Sequence, residues 1–266
     1  MRWWLRVYLV FAAVQGLGIG LTGVLTPAEM QIPLRLSPLN ARFVASLYVA
    51  GGLGLLLVAF RKQQRDARLF VLGFGLATGL ILALTLLHWG DFMADELPHR
   101  PIWLFDYLVD PVLAAAIVLV AGFLPIRDWT RDELSPIFGV EAAVLGVLGL
   151  VLVLAPGLAV AVWPWALPAV AGQLYGCFFL TFAVGAALAG GETWPTPRRI
   201  FTLTTLLLFV LVLAVSLIHV DRFKAEPVTW VWFGACVLGA LAFGGVLINL
   251  QRSASKVIGV QAGRPV

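Results

Sequence analysis

Two aspartates are the residues of this chain whose type and spacing most favour chemistry. Asp106 and Asp110, in the stretch LFDYLVDP, are four residues apart, so a helix presents both on one face. Counted from Pro101 with the helical rise, Asp106 lies about 7 Å and Asp110 about 13 Å along an apolar run. A carboxylate at that depth in lipid is costly unless it is protonated, paired or hydrated. This acidic pair is therefore the first candidate for a functional site.

Other polar residues are expected to surround the acidic pair. Asp110 precedes Pro111, which removes one helical hydrogen bond and frees a carbonyl group in the same neighbourhood. We predict an outward-facing polar pocket in the first half of the chain. Its predicted lining adds four residues from neighbouring runs to the acidic pair: Arg42, Tyr48, His88 and Gln15. In the alternative, Asp106 pairs with Arg42 and only ties two helices together.

Two histidines each end a long apolar run, in LLHWGDF and LIHVDRF. His88 and His219 at equal depth would suit a haem or a metal ion. No second histidine or cysteine stands three or four residues from either one, and no Cys-x-x-Cys-His motif occurs. We therefore predict no metal site and no cofactor. His88 and His219 are the only candidate ligands for a metal or haem, and quinone is the alternative organic cofactor.

A third acidic residue, Glu141, stands about one turn into the fifth apolar run. It follows Ser135-Pro136, a pair typical of a helix start. A negative charge near a helix N-terminus is stabilised by the helix dipole. We expect Glu141 to reach water and to have a structural role.

The elements that carry these residues follow from the composition. Hydrophobic residues make up 61% of the chain and charged residues 12%, and the mean hydropathy is +0.97. A soluble domain carries about twice that share of charge, so lipid must be the solvent. Eight apolar runs are long enough to cross a bilayer, near 5–25, 43–60, 69–89, 102–123, 137–155, 166–188, 200–218 and 229–249. We predict an all-α polytopic membrane protein with eight transmembrane helices.

The distribution of basic residues predicts the orientation. All but five of the 18 Lys and Arg residues fall on the side that carries both termini. The five exceptions are Arg35, Arg42, Arg100, Arg222 and Lys224. The positive-inside rule then places the N and C termini in the cytoplasm, and we predict a plasma (inner) membrane protein. The net charge of +4 reflects this topology and indicates no nucleic-acid partner.

Tryptophans cluster near the ends of the runs. We expect them to anchor the chain at the two membrane interfaces. The cytoplasmic belt would hold Trp3, Trp4, Trp129 and Trp194, and the outer belt Trp89, Trp103, Trp163, Trp165, Trp230 and Trp232.

An internal repeat divides the chain into two halves. The spacing from Arg68 to His88 in the third run equals that from Arg199 to His219 in the seventh. Further pairs keep the same order: Leu47-Tyr48 and Leu174-Tyr175, Pro27 and Pro156, Pro101 and Pro227, Trp103 and Trp230. We predict two parallel four-helix repeats, 1–126 and 127–251, followed by a short flexible cytoplasmic tail, 252–266. The positions that match the acidic pair in the second half are Trp232 and Cys236.

Each half resembles a DoxX-like four-helix membrane protein. The likeness rests on LTGVLTPAE at the end of the first run, ARFVASLYVAGGLGLLLVAF in the second, the basic turn RKQQRDAR and PIWLFDYL at the start of the fourth. It covers nearly all of the first half and less of the second. The family usually has a single unit, and some members are linked to quinone-coupled sulfur oxidation or membrane redox complexes. The resemblance implies the four-helix unit and transfers no site residue.

Three classes of function are compatible with this sequence. The first is a membrane protein that binds or transports a small or amphipathic molecule, of lipid or quinone class, in the pocket of the first repeat. The second is a non-catalytic structural subunit of a larger membrane complex, which would add protein partners to the surrounding lipid. The third is an intramembrane enzyme with Asp106 or Asp110 as general base and His88 as acid. We expect a protein that is not an enzyme.

Overall fold

The chain forms ten α-helices and no β-strand within residues 1–94, 99–124 and 130–262, which the computed structural model describes, with side chains as far as Arg252. The helices are α1 (Trp3–Leu25), α2 (Pro38–Ala59), α3 (Arg68–Leu87), α4 (Trp89–Phe92), α5 (Arg100–Val120), α6 (Ser135–Leu154), α7 (Pro156–Val162), α8 (Ala169–Gly191), α9 (Pro195–Ile218) and α10 (Pro227–Ala262).

Eight of these helices are long and apolar enough to cross a membrane, counted over the described residues. They are α1, α2, α3, α5, α6, α8, α9 and α10, one for each predicted run. The prediction of an all-α, multi-pass membrane protein is confirmed. In lipid every backbone group must be bonded internally, and a long helix does this within one segment.

Proline and serine set several helix starts. Ser37 caps α2, because its hydroxyl accepts a hydrogen bond from the backbone N–H of Asn40 at 3.3 Å. Pro38 then occupies the first turn, where a missing N–H is harmless. α7, α9 and α10 likewise begin at a proline.

The long helices pack as four pairs. α1 packs on α2, α3 on α5, α6 on α8, and α9 on α10. Two further contacts join the halves, α2 with α9 and α3 with α8. Each pairing in the first half has a counterpart in the second, which supports the interpretation as two four-helix repeats. The repeat remains a prediction, and its expected boundary at 126/127 lies outside the described residues.

Glycines allow the closest helix approaches. A Cβ on Gly20 of α1 would lie 2.7 Å from the Val49 side chain and 2.8 Å from its backbone nitrogen on α2. In the second half, a Cβ on Gly176 of α8 would lie 2.7 Å from the Val153 side chain on α6. Small residues at these positions therefore hold α1 against α2 and α6 against α8.

The predicted tryptophan belt is wrong for three residues. Trp103, Trp163 and Trp165 lie in the core, with 3%, 5% and 1% of their surface exposed, instead of anchoring an interface. Aromatic stacking among the helices encloses them. Trp3, Trp89 and Trp230 are exposed as expected, and Trp129 lies outside the described residues.

α10 extends to Ala262, past the end of the eighth predicted run. The short cytoplasmic tail at 252–266 stays a prediction.

Candidate functional site

A cavity of about 120 Å³ lies between the helices of the first half. Its walls come from α1, α2, α3 and α5, and its floor comes from α8 and α9 of the second half. For comparison, an apolar cavity of roughly 150 Å³ holds one benzene molecule. The cavity can therefore hold a group about the size of a single ring.

Four of the predicted site residues line this cavity. They are Gln15 on α1, Tyr48 on α2, and Asp106 and Asp110 on α5. Asp110 is only 4% exposed, and Asp106 is half-buried and interacts with the Gln15 side chain. The spacing of the acidic pair does place both carboxylates on one face of α5. α5 remains helical through Pro111.

Gln15, Tyr48, Asp106 and Asp110 form a polar wall of the cavity. Two tyrosines that the sequence interpretation missed lie in or beside it: Tyr107 is part of the lining, and Tyr8 is near Asp110 outside the lining. The hydroxyl groups of Tyr48 and Tyr107 share a hydrogen bond, which joins α2 to α5 across the cavity. Tyr8 on α1 interacts electrostatically with Asp110. A sequence signal was present, because Tyr8 and Gln15 are seven residues apart and so share one helix face.

Several oxygen atoms of this wall have no hydrogen-bond partner within the described part of the chain. They are Oδ1 of Asp110, Oε1 of Gln15 and the hydroxyl oxygen of Tyr8, all buried. Buried polar groups in proteins are nearly always hydrogen-bonded, so each exception calls for an explanation. Two of the three, on Asp110 and Gln15, belong to residues that line the cavity, and Tyr8 interacts with Asp110.

The remaining walls are mainly apolar and aromatic, and the hydroxyls of their three threonines, Thr78, Thr181 and Thr204, donate to carbonyls of their own helices. Five phenylalanines line them: Phe70 and Phe74 on α3, Phe178 and Phe182 on α8, and Phe201 on α9. The ring of Phe178 meets Tyr48 edge to face, with 5.0 Å between the centroids. The cavity thus has a polar wall on α1, α2 and α5 and an aromatic wall on α3, α8 and α9.

Part of the cavity lining is accessible from the surface. Gln15 and Ile19 on α1 and Asp106 on α5 are half-buried, whereas Asp110 and Tyr107 are buried.

Arg42 does not line the cavity, contrary to prediction. Its guanidinium donates through Nε to the carbonyl of Val24 at 3.1 Å and through Nη1 to Nε2 of His219 at 2.9 Å. These bonds direct Arg42 toward the end of α1 and the end of α9. Asp106 therefore is not the partner of Arg42, and the alternative of a helix-tying ion pair is not what this structure contains.

His88 also lies outside the cavity, because it ends α3 and faces Asp91, with Nδ1 3.5 Å from the carboxylate. His219 contacts Arg42 instead, so the two histidines have different partners. Burial first, and then the Arg42 charge, lower the pKa of His219. No group of three or more His, Cys, Asp or Glu side chains suited to a metal ion occurs in the described residues.

Glu141 is buried, so the expectation that it reaches water is wrong. It is 7% exposed, and its carboxyl group lies near Thr205 on α9 without a hydrogen bond within the described residues. Its helix begins at Ser135, but α8 and α9 cover this face of α6 and shield the carboxyl group. Glu141 does not line the cavity.

The second half has an aromatic core at the position that matches Asp106. Trp232 packs there against Phe43, Trp163 and Trp165, with ring centroids 5.0–5.8 Å apart. Cys236, which matches Asp110, is buried and free. The polar wall thus belongs to the first half.

Comparisons of this chain with protein families, curated proteins and solved structures find no match.

Proposed function

We propose that this membrane protein binds a small amphipathic molecule, of lipid or quinone class, in the cavity of its first half. The observation that carries the proposal is one cavity with two chemically different walls. Asp106, Asp110 and Gln15 give a polar wall, and phenylalanines give the opposite one. Binding sites for small molecules are typically apolar cavities with a few convergent polar groups.

The size of the cavity favours a ring or the end of a chain over a whole lipid. A group of benzene size fits the enclosed volume of about 120 Å³. The rest of a longer molecule would leave the cavity past its half-buried residues on α1 and α5.

The second half serves as a scaffold in this proposal. It supplies Phe178, Phe182 and Phe201 to the floor of the cavity, while Trp232 fills the position equivalent to Asp106. The symmetric helix pairing supports a duplication in which only the first copy retained the polar wall. The excess of Lys and Arg at the end with both termini supports a cytoplasmic location for that end.

The experiment fills the cavity and asks whether a bound molecule is lost. Gly51 lines the cavity, and a Cβ there would have no atom within 4 Å, so Gly51→Leu places a side chain into open space. Gly18→Leu is the matched control, because a Cβ on Gly18 also meets nothing and Gly18 does not line the cavity. Each protein is extracted in native-lipid nanodiscs, and its bound molecules are identified by mass spectrometry.

The expected result is one molecule enriched with the natural chain and with Gly18→Leu, and depleted at least about tenfold with Gly51→Leu. The same molecules in the same amounts in all three samples would overturn the proposal. The samples also test the alternative role of structural subunit. A constant set of protein partners together with unchanged bound molecules would favour that role.

A further inference from the structure

The polar wall of the cavity is acidic. Two carboxyl groups, Asp106 and Asp110, line it, and the cavity lining within the described residues includes no Lys, Arg or His side chain. Arg42, the basic residue predicted to lie there, instead bonds to Val24 and His219. The protein itself thus places no positive charge in contact with the acidic pair.

The same wall has more hydrogen-bond acceptors than donors. Oδ1 of Asp110 and Oε1 of Gln15 are buried acceptors without a partner in the described residues. Pro111 has no N–H, so the carbonyl of Tyr107, four residues earlier, loses its helical donor. On the donor side, one of the Tyr48 and Tyr107 hydroxyls donates to the other, which leaves one free O–H group between them. A ligand that satisfies this wall must mainly donate hydrogen bonds.

The acidic wall requires a positive charge, and its unpaired acceptors require hydrogen-bond donors. A single charged group supplies both. Two carboxylates one helical turn apart repel each other in a medium of low dielectric constant, and a cation between them removes that repulsion. An ammonium group carries three donors and no acceptor. A phosphate or carboxylate head group would add negative charge to the wall, and a quinone carbonyl would add only acceptors.

We propose that the head group bound at Asp106 and Asp110 is a protonated amine, carried on an apolar body that lies against the phenylalanines. The ligand class is therefore a lipophilic amine. This inference rests on the proposed function, because it requires the same cavity to bind an amphipathic molecule, and it narrows the lipid or quinone class to lipid-like molecules that carry an amine.

Binding of an amine must then depend on pH. A carboxyl group that is protonated must release its proton to water before it can pair with the ammonium group, so binding weakens as the pH falls. The other titratable groups near the pair carry no positive charge; they are the phenols of Tyr8, Tyr48 and Tyr107 and the thiol of Cys177.

The test uses three probes of the same shape and different charge. They are 4-butylbenzylamine, 4-butylbenzyl alcohol and 4-butylbenzoate. Binding to the protein in phosphatidylcholine nanodiscs is measured by isothermal titration calorimetry, with empty nanodiscs as the blank for partition into lipid. The amine should bind at least about tenfold more tightly than the alcohol at pH 8, and the benzoate should bind more weakly than either.

Two variants separate charge from shape. Asp110→Asn keeps the size of the side chain and should reduce amine binding about tenfold while alcohol binding changes little. Asp106→Asn is the second variant, should Asp110→Asn unfold in a thermal control. Gly51→Leu should weaken the binding of both the amine and the alcohol.

The outcomes distinguish this inference from the proposed function. Equal affinity for amine and alcohol, both lost in Gly51→Leu, would overturn the lipophilic amine and leave the cavity as a binding site. Amine binding that persists in Gly51→Leu would place it elsewhere and overturn both proposals. Absence of saturable amine binding to the natural chain would also overturn the inference.

Discussion

Arg42 and His219 join the two halves of the chain through one hydrogen bond of 2.9 Å between Nη1 and the ring Nε2. An arginine is always protonated and can only donate, so Nε2 of His219 must accept and the ring must be neutral. The same guanidinium bonds to the carbonyl of Val24. The end of α1, the start of α2 and the end of α9 are thereby linked around one side chain.

This link predicts a loss of stability at acidic pH. Burial and the Arg42 charge lower the pKa of His219 below its ordinary value of about 6.5. The unfolded chain then binds a proton more readily than the folded one. The stability from this contact is fully present above about pH 6.5 and decreases as the pH falls through the folded pKa.

The measurement is the thermal unfolding temperature of nanodisc samples between pH 5 and pH 8. His219→Gln retains an acceptor that does not titrate and should flatten the curve relative to the natural chain. His88→Gln is the matched control, because His88 faces Asp91 at the end of α3. An acid-induced loss of the same size in His219→Gln and in the natural chain would assign the loss to other groups.

Two buried carboxyl groups should respond differently to amidation. Asp110 lines the cavity, whereas Glu141 faces Thr205 away from it. Asp110→Asn should reduce the amount of the co-purifying molecule severalfold, and Glu141→Gln should leave it unchanged. Quantitative mass spectrometry of the two purified variants measures this. If both variants retained the molecule equally well, Asp110 would no longer be a candidate functional residue.

The close approach of α1 and α2 depends on Gly20. A methyl group there would lie 2.8 Å from the backbone nitrogen of Val49, which cannot move without shifting α2. Gly20→Ala should therefore destabilise the fold by about 1–3 kcal/mol. Gly18→Ala is the control, since a Cβ at Gly18 has no neighbour within 4 Å. Thermal unfolding in one detergent compares the two, and equal stability would refute this packing.

A fourth prediction concerns the start of α6. Asp132 accepts hydrogen bonds from the backbone N–H groups of Leu134 and Ser135 at 3.0 Å and from Arg198 at 2.5 and 2.8 Å. The hydrogen bonds from Arg198 are the main reason that the pKa of Asp132 lies well below its ordinary range. The Asp132 side chain is 52% exposed, so solvent screens the ion pair, and its bonds to the N–H groups of Leu134 and Ser135 hold the turn that precedes α6.

Asp132→Ala should lower the free energy of unfolding by about 1 kcal/mol near neutral pH. Asp132→Asn keeps an acceptor oxygen for the turn hydrogen bonds, so it should lower the free energy of unfolding by less. The contribution of the carboxylate is present above its ordinary pKa and is lost as the pH falls toward the folded pKa. Denaturant titration in mild detergent measures the two variants; equal losses in both would point to the charge instead of the turn hydrogen bonds.

The helices could be predicted from the sequence, and their packing faces could not. Each apolar run marks a helix because lipid leaves the backbone no other way to bond, and Pro227 marks one helix start. A tryptophan side chain such as that of Trp165 is compatible both with the protein core and with a membrane interface. Sequence therefore did not reveal that Trp165 packs against Phe43, with 5.5 Å between ring centroids.

The acidic pair was predictable for the opposite reason. A carboxyl group is incompatible with lipid, so Asp110 had to face the protein interior, and it does. Arg42 and His88 were placed wrongly because each stands at a helix end. There backbone carbonyls, other side chains and water compete for the same polar group.

A density map of the protein in native-lipid nanodiscs tests the central claim most directly. The account predicts density for one elongated molecule between α1 and α5, with its polar end within hydrogen-bond distance of Asp106 and Asp110 and its apolar part against Phe178. A map in which these two carboxylates face the acyl chains would contradict it. A map in which protein side chains, with no bound molecule, fill the space between the carboxylates and Phe178 would also contradict it.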